Sequence, residues 1–186
     1  MYNYSMVQKI ITVPDPILRQ KAKPVVRVDK KIKNLVRDLK DTLKAADNPK
    51  GIGLSAPQVG VSKQVMIIKL GGKIIPIINP QITYISKQTL FQTLEKEKRF
   101  LEGCLSVPGY WGYVDRSYKI KTKYQDLSGN QVEEEYEGKQ AALFQHEYDH
   151  LEGVLFIDRV LQQKGKIYKI EKNEKGEEEL VEIKLM

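Results

Sequence analysis

The sequence predicts an α+β fold, with mixed and antiparallel strands packed around a central helix and an amphipathic helix nearer the N-terminus. Three observations predict it. Apolar residues recur at helical spacing in 29–48, and a helix-forming run at 139–153 holds "FQHEYDHLEG". Residues 64–80 and 113–138 read as strands joined by short turns. No internal repeat or linker divides the chain, so these elements share one core.

The elements follow in order. "VPDPILRQKAKPV" (13–25) carries three prolines and reads as an extended arm. In "DKKIKNLVRDLKDTLKAADN" (29–48), Ile32, Leu35, Val36, Leu39 and Leu43 line one helix face, and Asp29 is placed to cap it. "NPKGIGLSAPQVG" (48–60) breaks the pattern with prolines and glycines and reads as a loop. "QVMIIKL" (64–70) and "KIIPIINP" (73–80) read as strands around a Gly-Gly turn, and 81–103 as further strand. Residues 113–138 give two alternating strands joined at "LSGN". Residues 139–153 form the histidine helix, which ends at Gly153. The polar tail, 164–186, fits a β-hairpin of "KIYKI" and "LVEIKL" turning at "NEKG".

At 186 residues, 41% hydrophobic and 30% charged, the chain fits one globular domain over 1–186. Its longest apolar runs, "VMII" and "IIPII", are too short to span a bilayer. "MYNYSMVQKIITVP" has no apolar signal core, so a cytoplasmic protein of bacterial type is expected, an organelle being the other option. The net charge of +7 suits either a solvated lysine-rich surface or attraction to a polyanion such as the ribosome. Nothing in it points to specific DNA binding, and a monomer is expected.

The chain has one cysteine, Cys104, and two histidines, His146 and His150. A single cysteine forms no internal disulfide. Histidines four apart stand on one helix face and can converge on a metal ion, and Cys104 is the natural third ligand. Alone, Cys104 reads first as a small buried hydrophobe, with a thiolate nucleophile as a further reading that would want a histidine partner. In H-E-x-x-H, Glu147 lies about 100° around the helix from His146, free to act as a general base. Asp149 reads either as an acceptor for a ligand's ring N–H or as a surface acid. Gln58 reads as an oxyanion donor or a loop amide, with the Leu105 N–H as a second donor.

Alternatives stay open on these residues. A zinc endopeptidase shares H-E-x-x-H but takes its third ligand downstream, where no histidine lies and Glu152 is a formal candidate. A structural zinc site needs four protein ligands. A blue-copper site would leave Glu147 and Gln58 without a role.

"GIGLSAPQ" (51–58), "EGCLS" (102–106) and "QHEYDHLEG" (145–153), in this order, resemble the three signature motifs of peptide deformylase. "ITVPDPILRQKAKPV" (11–25) is similar to the family's N-terminal segment, and the likeness runs over about residues 9–160. The resemblance implies metal ligands Cys104, His146 and His150, a catalytic Glu147, and oxyanion donors Gln58 and Leu105 N–H. It implies that Gly53 and Gly103 line the substrate strand and that Ile52, Ala142 and Leu143 form the methionine pocket. It implies one divalent ion, Fe(II) before Zn, Ni or Co, and a substrate that is a nascent chain starting with N-formylmethionine. Metal-bound hydroxide would attack the formyl carbon, with Glu147 as acid and base, releasing formate. Ser55 stands where the family usually has alanine, and little effect is expected. Tyr110, Trp111 and Tyr113 make the stretch after the second motif more aromatic than in many members, so they border the cleft or pack on the surface. The tail does not resemble the long helix of the best-known bacterial subtype.

Overall fold

The structure, a computed structural model, describes residues 6–47, 50–173 and 176–183. Part of the turn expected at "NEKG", the end of "LVEIKL" and Asn48 lie outside the described residues.

Five strands form one antiparallel sheet in the order β1 (Gly53–Ser55), β2 (Val65–Leu70), β3 (Lys73–Ile85), β6 (Lys119–Gln125) and β7 (Gln131–Glu137). Four more form a second sheet in the order β4 (Glu102–Cys104), β5 (Val107–Gly112), β8 (Ile167–Lys172) and β9 (Glu178–Glu182). The expected α+β architecture is therefore present. Helix α1 (Lys30–Ala45) begins where Asp29 accepts a hydrogen bond from the Ile32 amide at 3.0 Å. Its Ile32, Val36, Leu39 and Leu43 pack with Val65 and Ile67 of β2. The alternate residues, Met66 and Ile68, pack on the other side with Ala141, Phe144 and Leu151 of α3 (Gly138–Leu151). Thus β2 is covered on both faces, which is why it reads as a continuous apolar run rather than an alternating one. Each large side chain fully buried here contributes about 1.5–3 kcal/mol.

The prolines of β3 sit where pairing allows them. Pro76 pairs with Ile67, in a part of β3 that has no neighbour on its other side, because β6 joins only from Ile78 onward. Pro80 falls in a register shift between Ile78 and Gln81. There Asn79 adopts φ +50° and its amide bridges both backbone groups of Val25, at 2.8 and 2.7 Å.

Three readings of local structure need correction. The 48–60 stretch is not all loop: it holds β1, then a 3-10 turn at Ala56–Val59 tied back by the Ser55 amide, which donates to Gln58 Oε1 at 2.8 Å. Residues 81–103 are not mainly strand. After Ile85 come helix α2 (Leu90–Thr93) and a 3-10 turn at Lys96–Lys98. Thr89 and Gln92 form a capping box that starts α2 while Leu90 is buried, so a local cap outweighed the loose alternation. The N-terminal arm carries a 3-10 turn at Pro16–Arg19 capped by Asp15, rather than being extended throughout.

Candidate active site

Helix α3 turns one side to the large sheet and brings His146 and His150 to the other, where β4 ends at Cys104. The β4–β5 register breaks there: Gly103 pairs with Trp111, but Cys104 pairs with Val107. Such an irregularity re-aims a side chain, and here it delivers the thiol to the histidines. Ligand atoms of Cys104, His146 and His150 all lie within 4.8 Å of one another, with Cys104 Sγ 3.2 Å from His150 Nε2.

The chemistry of the three donors fits a metal ion. Burial pushes the Cys104 thiol up, but the charges and hydrogen bonds of His150 and His146 outweigh it and hold the thiol well below its ordinary range. A thiolate is the form that binds metal. The other nitrogen of His146, Nδ1, lies 2.9 Å from Glu102 Oε2, which fixes the ring with Nε2 free to ligate.

Glu102 belongs to a buried ionic cluster. Arg116 donates to both Glu102 oxygens, at 2.5 and 2.9 Å, and to Asp149 Oδ2 at 2.8 Å. Arg159 completes the shell of Asp149 at 2.5 and 3.1 Å. Burial raises the Glu102 carboxyl, yet Arg116 and His146 bring it down to about 2. Asp149, weighed above as the acceptor for a ligand's ring, thus serves the arginines instead, and Glu102 takes that place. The signal for Glu102 was its position two residues before Cys104; nothing local marked Arg116, which arrives from a distant strand connection.

Glu147 is 3% exposed and outside the ligand group. Its Oε2 accepts a hydrogen bond from Ser55 Oγ at 2.7 Å, and the same hydroxyl lies 3.0 Å from the Glu147 carbonyl. Ser55 therefore has a definite contact, where little effect was expected of it. Burial pushes the Glu147 carboxyl up against the opposing pull of His146, His150 and Ser55. Gly53 lies so close that a Cβ there would overlap the Glu147 carboxylate.

Gln58 is buried beside the sulfur. Its Oε1 accepts from the Ser55 amide at 2.8 Å, which aims Nε2 at Ser106 Oγ (3.2 Å) and Cys104 Sγ (3.6 Å). Leu105 occupies the turn that follows Cys104. A cavity of about 350 Å³ opens over these groups. Ile52, Gly53, Gly103, Ala142 and Leu143 all line it, as do Glu147 and Trp111. Tyr113 instead packs edge-on against Phe91 and Tyr168.

The description of the polypeptide deformylase family matches residues 7–166. The chain belongs to that family. It is 43% identical over 146 residues to the peptide deformylase of Thermotoga maritima, covering 78% of this chain and 82% of that one. It is 40% identical over 154 residues to the peptide deformylase of Heliobacterium modesticaldum, covering 83% and 94%. The crystal structure of the T. maritima enzyme superposes with a TM-score of 0.74 at 40% identity, over 83% of this chain and 97% of that chain. A class I type b peptide deformylase from Acinetobacter baumannii, with Met-Ala-Ser bound, gives 0.74 at 31% identity, over 84% and 99%. As a deformylase the chain is a metal-dependent hydrolase that removes the N-formyl group from nascent peptides. Among the described residues, no helix is long and apolar enough to cross a membrane.

Proposed function

We propose that Cys104, His146 and His150 hold one divalent ion and that Glu147, Gln58 and the Leu105 amide carry out deformylation around it. The observation that carries this reading is the convergence of the three ligand atoms within 4.8 Å, beside a buried carboxylate that is not one of them. A bound ion would supply Lewis acidity and a water acidic enough to lose its proton near neutral pH.

The chain's own groups do the rest. Glu147 accepts the proton of the attacking water and returns it to the amine nitrogen as the C–N bond breaks, leaving formate and a free N-terminus. Gln58 Nε2 and the Leu105 N–H donate to the formyl oxygen as its negative charge develops. Gly53 and Gly103 let the peptide backbone approach, while Ile52, Ala142 and Leu143 receive the methionine side chain. The A. baumannii relative with Met-Ala-Ser bound supports a substrate of this class. We assign Fe(II) from family likeness, although intrinsic affinity at a Cys/His₂ site favours zinc. A cytoplasmic monomer fits this role.

Formate release from formyl-Met-Ala-Ser, assayed anaerobically for the Fe(II) and zinc forms, is the direct test. The Fe(II) form is expected to release formate and to leave an unrelated internal peptide intact. A fully loaded protein that releases none, or that cuts the internal peptide, would sink the reading.

Gly53→Ala tests the placement of Glu147. The new methyl must push the carboxylate aside. Displacing a reacting group by about 1 Å can cost on the order of a hundredfold in rate. A loss of that size in kcat is expected, with metal content and melting temperature near those of the parent.

A further inference from the structure

The cavity over the candidate site has a closed end and an open end, and the two differ in charge. At the closed end Gln58, Cys104 and Glu147 are 2%, 6% and 3% exposed. At the open end Lys50 and Lys139 line the same cavity and are exposed. The stretches that build the site also place these cations. Lys50 stands three residues before Gly53, and Lys139 stands seven before His146 on α3. Residues 139, 142, 143 and 146 follow helical spacing, so Lys139 shares a face with Ala142, Leu143 and His146 and lies one turn beyond the first two. Seven residues rise about 10 Å along a helix. Across the cavity, Lys139 Nζ lies 5.4 Å from the centre of the Phe100 ring, another lining residue, three before Gly103. That cation–π contact draws the ammonium toward the wall that β4 continues.

No acid offsets these charges at the open end. Among the described residues that line the cavity, the acids are Glu102 and Glu147. Glu102 is 8% exposed and already held by Arg116 and His146, and Glu147 lies at the closed end. Among the described residues, neither Lys50 nor Lys139 has a carboxylate partner. Lys119 shows the contrast, since it pairs with Glu135 and Glu137 on the strand beside it. A lone surface lysine is ordinarily just solvated. Two unpaired ones that reach one cleft from different elements raise its potential together, and the low-dielectric walls focus that field.

We infer that Lys50 and Lys139 make this enzyme selective for an acidic side chain early in the formylated chain, at the third residue. The inference rests on the deformylase reading of the cavity. An extended chain advances about 3.3 Å per residue, so a formyl carbon held at the ligand group leaves the third residue about 10 Å away. That matches the rise along α3 from His146 back to Lys139. The same field acts against a lysine or arginine at that position. The contact is made equally in the ground state and the transition state, so it acts on KM and leaves kcat alone.

The test compares formyl-Met-Ala-Asp, formyl-Met-Ala-Asn and formyl-Met-Ala-Lys, each with an amidated C-terminus so that only the third side chain changes the charge. An exposed ion pair is worth at most about fivefold, and exchanging aspartate for lysine turns two attractions into two repulsions. The parent is therefore expected to prefer the aspartyl peptide over the lysyl one by about tenfold in kcat/KM at low salt, with the asparaginyl peptide between them. The ratio should shrink toward unity at about 0.5 M salt. Lys50→Gln and Lys139→Gln keep the side chain and remove the charge. Each should reduce the ratio to about threefold, and the double variant to about twofold or less, with kcat unchanged. Formate from all three peptides without preference in the parent overturns the inference, as does a preference that survives high salt or the double substitution. No formate from any of the three overturns the deformylase reading beneath it.

Discussion

Replacing Glu147 with alanine should abolish measurable formate release while the metal stays bound and the fold holds. Positioned proton transfer typically contributes 10²–10⁴-fold, and in the proposed mechanism one carboxylate both takes the proton from water and delivers it to the amine. Its loss should therefore appear in kcat rather than in KM. Three features of the site separate this effect from damage. Glu147 is outside the Cys104, His146 and His150 group, so the substitution leaves all three donors proposed for the ion in place. Ser55 Oγ, which donates to the carboxylate, keeps the Glu147 carbonyl within reach at 3.0 Å and is not stranded. Burial of a carboxylate is unfavourable, and it pushes this one up, so its removal should not lower the melting temperature. Metal analysis, thermal melting and single-turnover formate release on the same preparation decide the matter. Activity within tenfold of the parent would remove Glu147 from the proton path. Loss of metal along with activity would make it a ligand instead.

The parts of this site that could be read from the sequence are those whose geometry is local. His146 and His150 are one helical turn apart, so the 3.6-residue period alone brings them together. Cys104 was legible for another reason: a chain with one cysteine and two histidines offers few other donor sets. Asp29 was visible as a cap because capping acts over three residues. What stayed hidden depends on distant parts of the chain. Ser55 meets Glu147 across 92 residues, and Arg116 meets Asp149 across 33. No spacing rule carries such contacts. The short strand β1 was hidden for a related reason: Gly53–Ser55 is too brief to show alternation, and it pairs with β2 only in the folded sheet. Helix α2 was missed because its four residues make barely one turn, too short for a helical period to repeat, leaving only the Thr89–Gln92 cap to mark it.

The Arg116→Met substitution should produce the largest loss of stability in the molecule outside the apolar core. Arg116 is 5% exposed and bridges two acids that are themselves buried, Glu102 at 8% and Asp149 at 4%. Removing one partner of a buried ion pair typically costs about 3–5 kcal/mol, because a charge is left without compensation. Asp149 retains Arg159, at 2.5 and 3.1 Å, whereas Glu102 retains, among the described residues, only the ring of His146 at 2.9 Å. The deficit therefore falls on the acid that orients His146, one of the three donors proposed for the ion. A domain of ordinary stability holds about 5–15 kcal/mol in total, so the denaturation midpoint should drop sharply in urea. Metal affinity should weaken by about 10–100-fold, the usual cost of losing such a supporting contact. Lys119→Ala serves as the contrast. Lys119 also pairs with two acids, Glu135 and Glu137, but at the surface, where such pairs are screened by water. Its midpoint should stay close to that of the parent. Equal midpoints for Arg116→Met and Lys119→Ala would mean that the buried cluster adds nothing to the fold. A lower midpoint with unchanged metal affinity would mean that Glu102 holds His146 without help from Arg116.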